Sequence, residues 1–195
     1  MDTGLNDSVY TLAFALNGNL YIGGKFTSAD GVDGDYLCYW DGTSFNRVGT
    51  TEITGAIYQV MTLGFDSTGN LIIGGNFSDI GGDSNLSMLA KWNGGDWINI
   101  GTKPDALVYK LYIDKNDGLY ISGSFGEVGG ISASDNIAYY NNGAWSPLDI
   151  NLPGTAVAYS FIIASDGTLY VGGDFSTIAD GNAVIGKVAV NIANS

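Results

Sequence analysis

The sequence predicts an all-β fold: four tandem blades, each a sheet of four antiparallel strands, arranged as a β-propeller-type array. Three observations carry this. One phrase, apolar-Tyr-apolar-Gly-Gly-x-Phe with small variations, recurs at residues 20–26, 71–77, 119–125 and 169–175. Its closing Phe26, Phe77, Phe125 and Phe175 lie 51, 48 and 50 residues apart, and a period in that range holds one four-stranded propeller blade. The 30 glycines recur at fixed places within the repeats rather than in tracts, which marks turns and close backbone approaches instead of linkers.

Each repeat opens on an apolar run, at 9–14, 57–65, 107–113 and 157–163, read as strand one. A turn with Asn or Asp beside Gly follows at 17–19, 67–70, 116–118 and 165–167. Glycine there supplies the positive φ of a tight hairpin, so strands one and two are antiparallel neighbours. Strand two is the repeated phrase itself. Its large residues point to both faces, as in a sheet packed between two others. The Gly pair inside it has no side chains to pack and marks a bulge or a close approach of the next blade. It does not cradle phosphate, because no helical period follows it. A polar connection comes next, then strand three at 36–40, 88–92, 137–140 and 185–190. A second turn and a bulky aromatic, Phe45, Trp97 or Trp145, announce strand four in the first three repeats, and the fourth repeat ends without one. The blades thus run over 9–50, 57–102, 107–150 and 157–195 of a single repeat domain, 1–195, the last lacking its outer strand. Only 1–8, short and polar, is available to fill that position, so the array is expected to be completed by further repeats or by self-association.

Hydrophobic residues make up 45% of the chain and charged residues 14%, which is enough apolar material for a core and too little charge for disorder. Lys and Arg number 7 against 20 Asp and Glu, a net charge of −13, which repels nucleic-acid phosphates and anionic membrane surfaces. Nucleic acid is therefore not an expected partner, and neither is membrane insertion, for no apolar run of about 18 residues is present. The start of the chain has no apolar h-region and reads as no signal peptide. Protein partners and neutral glycans suit an acidic surface. There is no histidine and Cys38 is the one cysteine, which excludes the usual zinc sites, thiolate clusters and Ser-His-Asp or Cys-His catalysis. Cys38 aligns with Ala90, Ala138 and Val188 and reads as a small buried side chain. No cofactor is expected.

The Gly-Gly pair ending an apolar strand, then an aromatic-bearing strand, a turn and a Trp, resembles the kelch-type propeller repeat. The fuller phrase Gly-Gly-x-Phe-Thr/Ser, followed by a Gly-rich loop and Ala-x-Trp/Tyr-Asn-Gly, is similar to the kelch-like repeats of large surface or secreted proteins. Fungal cortical cell-polarity markers and many bacterial and phage proteins are among these. The resemblance covers 9–191. Departures are Ser122 at the first Gly of the pair, Lys91 and Lys187 within third strands, and the absent last strand. These repeats share no catalytic residues, so the resemblance implies a non-catalytic structural or binding module, extracellular, on a cell surface or in a virion.

Tyr39 and Tyr139 occupy equivalent positions in third strands and are the candidate ligand-binding residues. Near a rim they would stack on sugar rings, which makes a glycan-binding lectin the alternative function; the competing reading is inter-blade core. Asp30, Asp33 and Asp35 alternate as calcium ligands do, but no Glu closes a twelve-residue loop, so they read as solvated turn residues rather than a cation site and no metal is expected. A carboxylate-dependent hydrolase is the third class considered, though no carboxylate pair stands in a distinctive context. The repeat itself is tested at its Phe. All four should be buried, and Phe77→Ala should cost about 3–5 kcal/mol of stability by chemical denaturation, while far-UV circular dichroism shows no dominant helix.

Overall fold

The computed structural model describes residues 4–54, 59–132, 136–148, 150, 152, 156–175, 184–185 and 188–191. Four four-stranded antiparallel sheets follow one another along the chain. Blade one consists of Val9–Phe14, Leu20–Gly24, Leu37–Trp40 and Phe45–Arg47. Blade two is Gln59–Phe65, Leu71–Asn76, Leu89–Trp92 and Trp97–Ile98, and blade three is Val108–Ile113, Leu119–Gly123, Ile137–Asn141 and Ala144–Pro147. Blade four begins with Val157–Ile163 and Leu169–Asp174, and its third strand is Val188–Asn191. Strand one of each blade packs on strand one of the next, which places the first strands innermost and the fourth at the rim. Among the described residues the one helical element is a single 3-10 turn, Ser84–Leu86.

The fourth blade differs from the expectation. Among the described residues no strand follows its third, and its outer position is occupied by Val184–Ile185, which pairs with Val188–Asn191 from the N-terminal side. The run expected to be one strand, 185–190, is thus divided between two paired strands, Val184–Ile185 and Val188–Asn191. The N-terminal segment is not free to close the array either. Leu5 bridges Ala29, the Asn6 N–H donates to the Ser28 carbonyl and the Asp30 N–H to the Gly4 carbonyl, so 4–6 is clipped to the loop of its own blade. Asn6 Oδ1 also accepts from the amides of Thr27 and Ser28 at 2.9 and 3.0 Å. Blade three repeats the arrangement, with Asp105 Oδ1 accepting from Gly126 and Glu127 at 2.9 and 3.1 Å. In blade two Ile53–Thr54 pairs with Asp79–Ile80. The connections after strand two, expected as plain loops, therefore carry ladders of their own, including Ser28–Ala29 with Val32–Asp33 and Glu127–Val128 with Ile131–Ser132.

The Gly pair does two different things. Opposite its second glycine, strand one bulges by one residue in every blade, between Val9/Thr11, Val60/Thr62, Val108/Lys110 and Ala158/Ser160. The bulge drives a carbonyl toward the glycine. A Cβ on Gly24, Gly75, Gly123 or Gly173 would stand 2.2, 2.0, 1.9 or 2.0 Å from the backbone oxygen of Ser8, Gln59, Leu107 or Val157. Those are impossible contacts, and a backbone atom cannot step aside as a side chain can. The first glycine faces the next blade instead: a Cβ on Gly23 would meet Val60 Cγ1 at 2.6 Å, and one on Gly74 would meet Val108 Cγ1 at 2.7 Å. In blade three this position is Ser122, and the residue equivalent to Val60 and Val108 is Ala158. The larger side chain at one side of the junction is matched by a smaller one at the other.

Phe26, Phe77, Phe125 and Phe175 are all buried, as the repeat requires. Phe26, Phe125 and Phe175 lie directly under the second glycine of their own pair. Cys38 is fully buried as well, and burial pushes its thiol up to about 12, so it is a packing group. Strands three and four are tied by cross-strand aromatic pairs, Trp40 with Phe45, Trp92 with Trp97 and Tyr140 with Trp145, at centroid distances of 4.9, 5.4 and 5.0 Å. Trp145 also reaches into the preceding blade, where its Nε1 donates to the Ile100 carbonyl at 3.2 Å. Replacing Gly75 by Ala should lower stability by at least about 2–3 kcal/mol, the scale of an overpacked site that cannot relax. Gly95→Ala, which meets only the Asn93 side chain at 3.7 Å, should stay within about 0.5 kcal/mol; urea unfolding of the two variants makes the comparison.

Candidate functional site

The turns between strands one and two line up on one face of the molecule. Each is closed by the same pair of backbone bonds, Ala15–Asn19 and Gly18–Ala15 in blade one, with equivalents at Asp66, Asp114 and Ala164. Only blades two and three place a carboxylate at the first turn residue. Across from it stands the third-strand position that holds Tyr39, Lys91 and Tyr139 in the first three blades. Sequence register thus brings Lys91 to Asp66 and Tyr139 to Asp114.

Asp66 is buried and saturated. Its Oδ1 accepts from the Thr68 amide, the Thr68 hydroxyl and the Asn70 amide at 3.1, 2.7 and 2.9 Å. Its Oδ2 accepts from Asn70 Nδ2 at 2.8 Å and Lys91 Nζ at 2.7 Å. Burial opposes its ionisation, but the Lys91 ammonium and the Asn70 and Thr68 donors together outweigh it and hold the carboxyl well below the usual range. A carboxylate so engaged is a structural staple with no lone pair left for general-base work. The departure noted in the sequence, a lysine inside a third strand, is explained by this pair.

Tyr139 packs against Tyr120 with centroids 4.4 Å apart and ring planes tilted by 37°, and hydrogen-bonds Asp114. Burial, the Asp114 charge and that hydrogen bond raise its pKa. Tyr39 stacks on Tyr21 at 5.1 Å, and Tyr21 meets Phe65 of the next blade edge-on at 5.0 Å. Both candidate tyrosines are half-buried, each backing a second tyrosine. Sequence reasoning did not find the more exposed ring beside them, Tyr112, which packs on Tyr120 at 6.2 Å. Its only signal was an aromatic at a strand-one position that is Ala13 or Gly64 in the preceding blades.

Two clefts open between neighbouring blades and are lined by these turns. The one between blades two and three, about 230 Å³, is bounded by Asp66, Lys91, Asn99, Asp117 and Tyr140. Asp117 bridges the two blades there, accepting from the Ser67 amide at 2.7 Å and the Ser67 hydroxyl at 2.5 Å. The cleft between blades three and four, about 340 Å³, has Tyr112 and Tyr120 beside Asp114, Asn116 and Ser165. Ring faces stand there beside polar and charged side chains, Lys115 among them.

The acidic loop is arranged differently. Arg47 forms a close ion pair with Asp35 and lies 3.9 Å from Asp33, while Asp30 occupies a left-handed turn position at φ 51°. Among the described residues no three such ligands are grouped to hold a metal ion, and Asp33 and Asp35 both face Arg47.

The family model of the Rax2 C-terminal beta propeller domain matches residues 1–97. No curated protein matches the chain. Among solved structures, the extracellular domain of the one component system BT4673 from B. thetaiotaomicron has a TM-score of 0.61 at 13% identity, over 97% of this chain and 22% of that one. A catalytically inactive virginiamycin B lyase from Staphylococcus aureus with quinupristin has 0.52 at 13% identity, over 87% and 50%. YCF48 bound to D1 peptide has 0.50 at 13% identity, over 89% and 50%. The chain thus spans half or less of the length of each.

The staple is open to test by pH. The folded-state pKa of Asp66 lies below its unfolded value, so its contribution is complete above about pH 4 and is lost as the pH falls through the folded value. The urea midpoint should therefore drop on acidification, and less steeply in Asp66→Asn, which starts lower at neutral pH. Lys91→Met should cost about 1–3 kcal/mol at pH 7, less than the 3–5 kcal/mol of a fully buried pair, since Thr68 and Asn70 stay in place. Matched repeats, bulges, sheets and neighbours lead to one conclusion: this chain is a β-propeller repeat protein, similar over its first half to the Rax2 C-terminal beta propeller domain.

Proposed function

We propose that the chain is a non-catalytic recognition module that presents the turn face of a rigid, kelch-like repeat scaffold to its ligand. The observation that carries this is the state of the Asp66 carboxylate, which is spent on five hydrogen bonds within its own blade. The chain has no histidine, and burial holds the Cys38 thiol neutral. The propeller fold is compatible with both roles: one solved neighbour is a lyase, made inactive by replacing a histidine, and another is bound to a peptide. This chain has no histidine to supply the first kind of chemistry. A surface, secreted or virion setting suits such a module and its acidic character.

The cleft between blades three and four favours a neutral glycan as ligand, because Tyr112 and Tyr120 offer ring faces beside Asp114, Asn116 and Ser165. Tyr139 backs Tyr120 there, and Tyr39 backs Tyr21 in blade one. A glycan array with the wild type and Tyr112→Ala tests the reading. Specific binding, weakened about tenfold or more by Tyr112→Ala, is the expected result. Silence across the array turns the face over to protein partners, and product release from a glycoside panel would overturn the non-catalytic assignment altogether.

A further inference from the structure

Directly opposed residues on strands two and three put their side chains on one face of a blade. In blade one that pair is Tyr21 and Tyr39, rings 5.1 Å apart, and Phe65 of blade two meets Tyr21 edge-on at 5.0 Å. In blade three it is Tyr120 and Tyr139 at 4.4 Å, and Phe161 of blade four lies 6.3 Å from Tyr120. In blade two the pair is Ile72 and Lys91, and the blade-three residue in register with Phe65 is Ile113. The junction of blades two and three therefore has no ring where the junctions on either side of it each have three.

The cleft of about 230 Å³ stands in that junction. Its apolar walls are Ile72, Ile100 and Leu119, which are buried, and Ile98, which is 39% exposed. Lys91 and Asp117 line it as well. An ammonium has three N–H donors, of which Asp66 takes one from Lys91. Asp117 accepts from Ser67 through both oxygens, and a carboxylate oxygen has a second lone pair to offer. One donor and one acceptor thus flank an aliphatic slot.

A phenol matches that arrangement. Its ring packs on the isoleucine and leucine walls, while its hydroxyl accepts from Lys91 and donates to Asp117. A plain phenyl ring would strip water from both charged groups without replacing its hydrogen bonds, and a ring carrying a carboxylate would be repelled by Asp66 and Asp117. In the flanking junctions such rings arrive on extended backbone, as side chains of strands two and three. We propose that the cleft between blades two and three receives a tyrosine side chain from an extended segment of a partner polypeptide, which supplies in trans the ring that the flanking junctions hold in cis. This site lies in a different junction from the glycan cleft and does not depend on it.

Titration of the full chain with N-acetyl-tyrosinamide, followed by amide NMR shifts up to about 20 mM ligand, tests the site, since a single ring binds near the millimolar range. Shifts should centre on Asn99, Asp117 and Leu119. N-acetyl-phenylalaninamide and p-cresol should each bind at least about threefold more weakly, for want of the hydroxyl and of the backbone. Ile72→Tyr rebuilds the ring found at Tyr21 and Tyr120, and it should weaken binding about tenfold or more with an unchanged urea midpoint. Ile98→Asp, at an exposed wall position, should do the same, whereas Tyr112→Ala in the other cleft should change nothing. Absence of shifts at these residues overturns the proposal, as does full affinity in either folded cleft variant or loss of affinity in Tyr112→Ala. Equal affinity for the phenylalanine analogue removes the role of the hydroxyl, and equal affinity for p-cresol overturns a polypeptide as the donor of the ring.

Discussion

The contact between a strand-one carbonyl and the second glycine of the repeated pair governs the architecture. That oxygen lies about 2 Å from where a Cβ would be in all four blades, so no other residue fits without moving backbone. Its position comes from the bulge in strand one, and the bulge in turn lets the carbonyls of Ser8 and Leu107 accept hydrogen bonds from Lys25 and Ser124, just past the pair. In blades one, three and four the Phe two residues beyond the pair packs beneath the same spot. One glycine therefore couples the twist of the inner hairpin, the exit of the chain toward strand three and the burial of the largest core side chain.

Around that invariant the repeats vary in compensated ways. The first glycine of the pair is set by the neighbouring blade rather than by its own backbone, and it becomes Ser122 where the facing residue shrinks to Ala158. The Ser122 hydroxyl is buried without a hydrogen-bond partner, a local cost of that exchange. The third-strand position on the turn face changes identity together with its partner: Lys91 with Asp66, Tyr139 with Asp114, and Tyr39 opposite Ala15, where no carboxylate is present to hold. Fold and turn face are thus written at different positions of the same strands, which lets the turn face change without disturbing the junctions.

Most of the fold was legible because it is repeated: a turn glycine or a buried Phe gains meaning when it returns in four registers. What stayed hidden was unrepeated in residue type. Tyr36, Met88 and Asn136 share a left-handed backbone with φ of 70, 63 and 63° just before strand three, where their carbonyls accept from the second glycine of the pair. Asn136 alone signals such a conformation, since Tyr and Met disfavour it. The clips before strand one were equally obscure, for Asn6, Thr54 and Asp105 share only a short polar side chain. At the candidate site, Tyr39 and Tyr139 were visible as aromatics, but their partnership with Tyr21 and Tyr120 follows from strand register. Tyr112 escaped notice because alternation assigns it to a face without saying whether a neighbouring blade covers that face. Asp30, Asp33 and Asp35 read as alternate ligands because Arg47, which meets two of them, lies beyond the next strand.

The clips also define where one unit stops. Asn6, Thr54 and Asp105 hold loops that come 21 to 25 residues later, so a blade owns the short segment before its first strand as well as its four strands. Gene duplication that copied only strand one through strand four would deliver a blade with an unsecured loop and leave a stray clip behind. A cut just upstream of residues 4, 52 or 104 transfers a self-sufficient module, and shuffling of such modules is the genetic route this topology permits for lengthening or shortening the array.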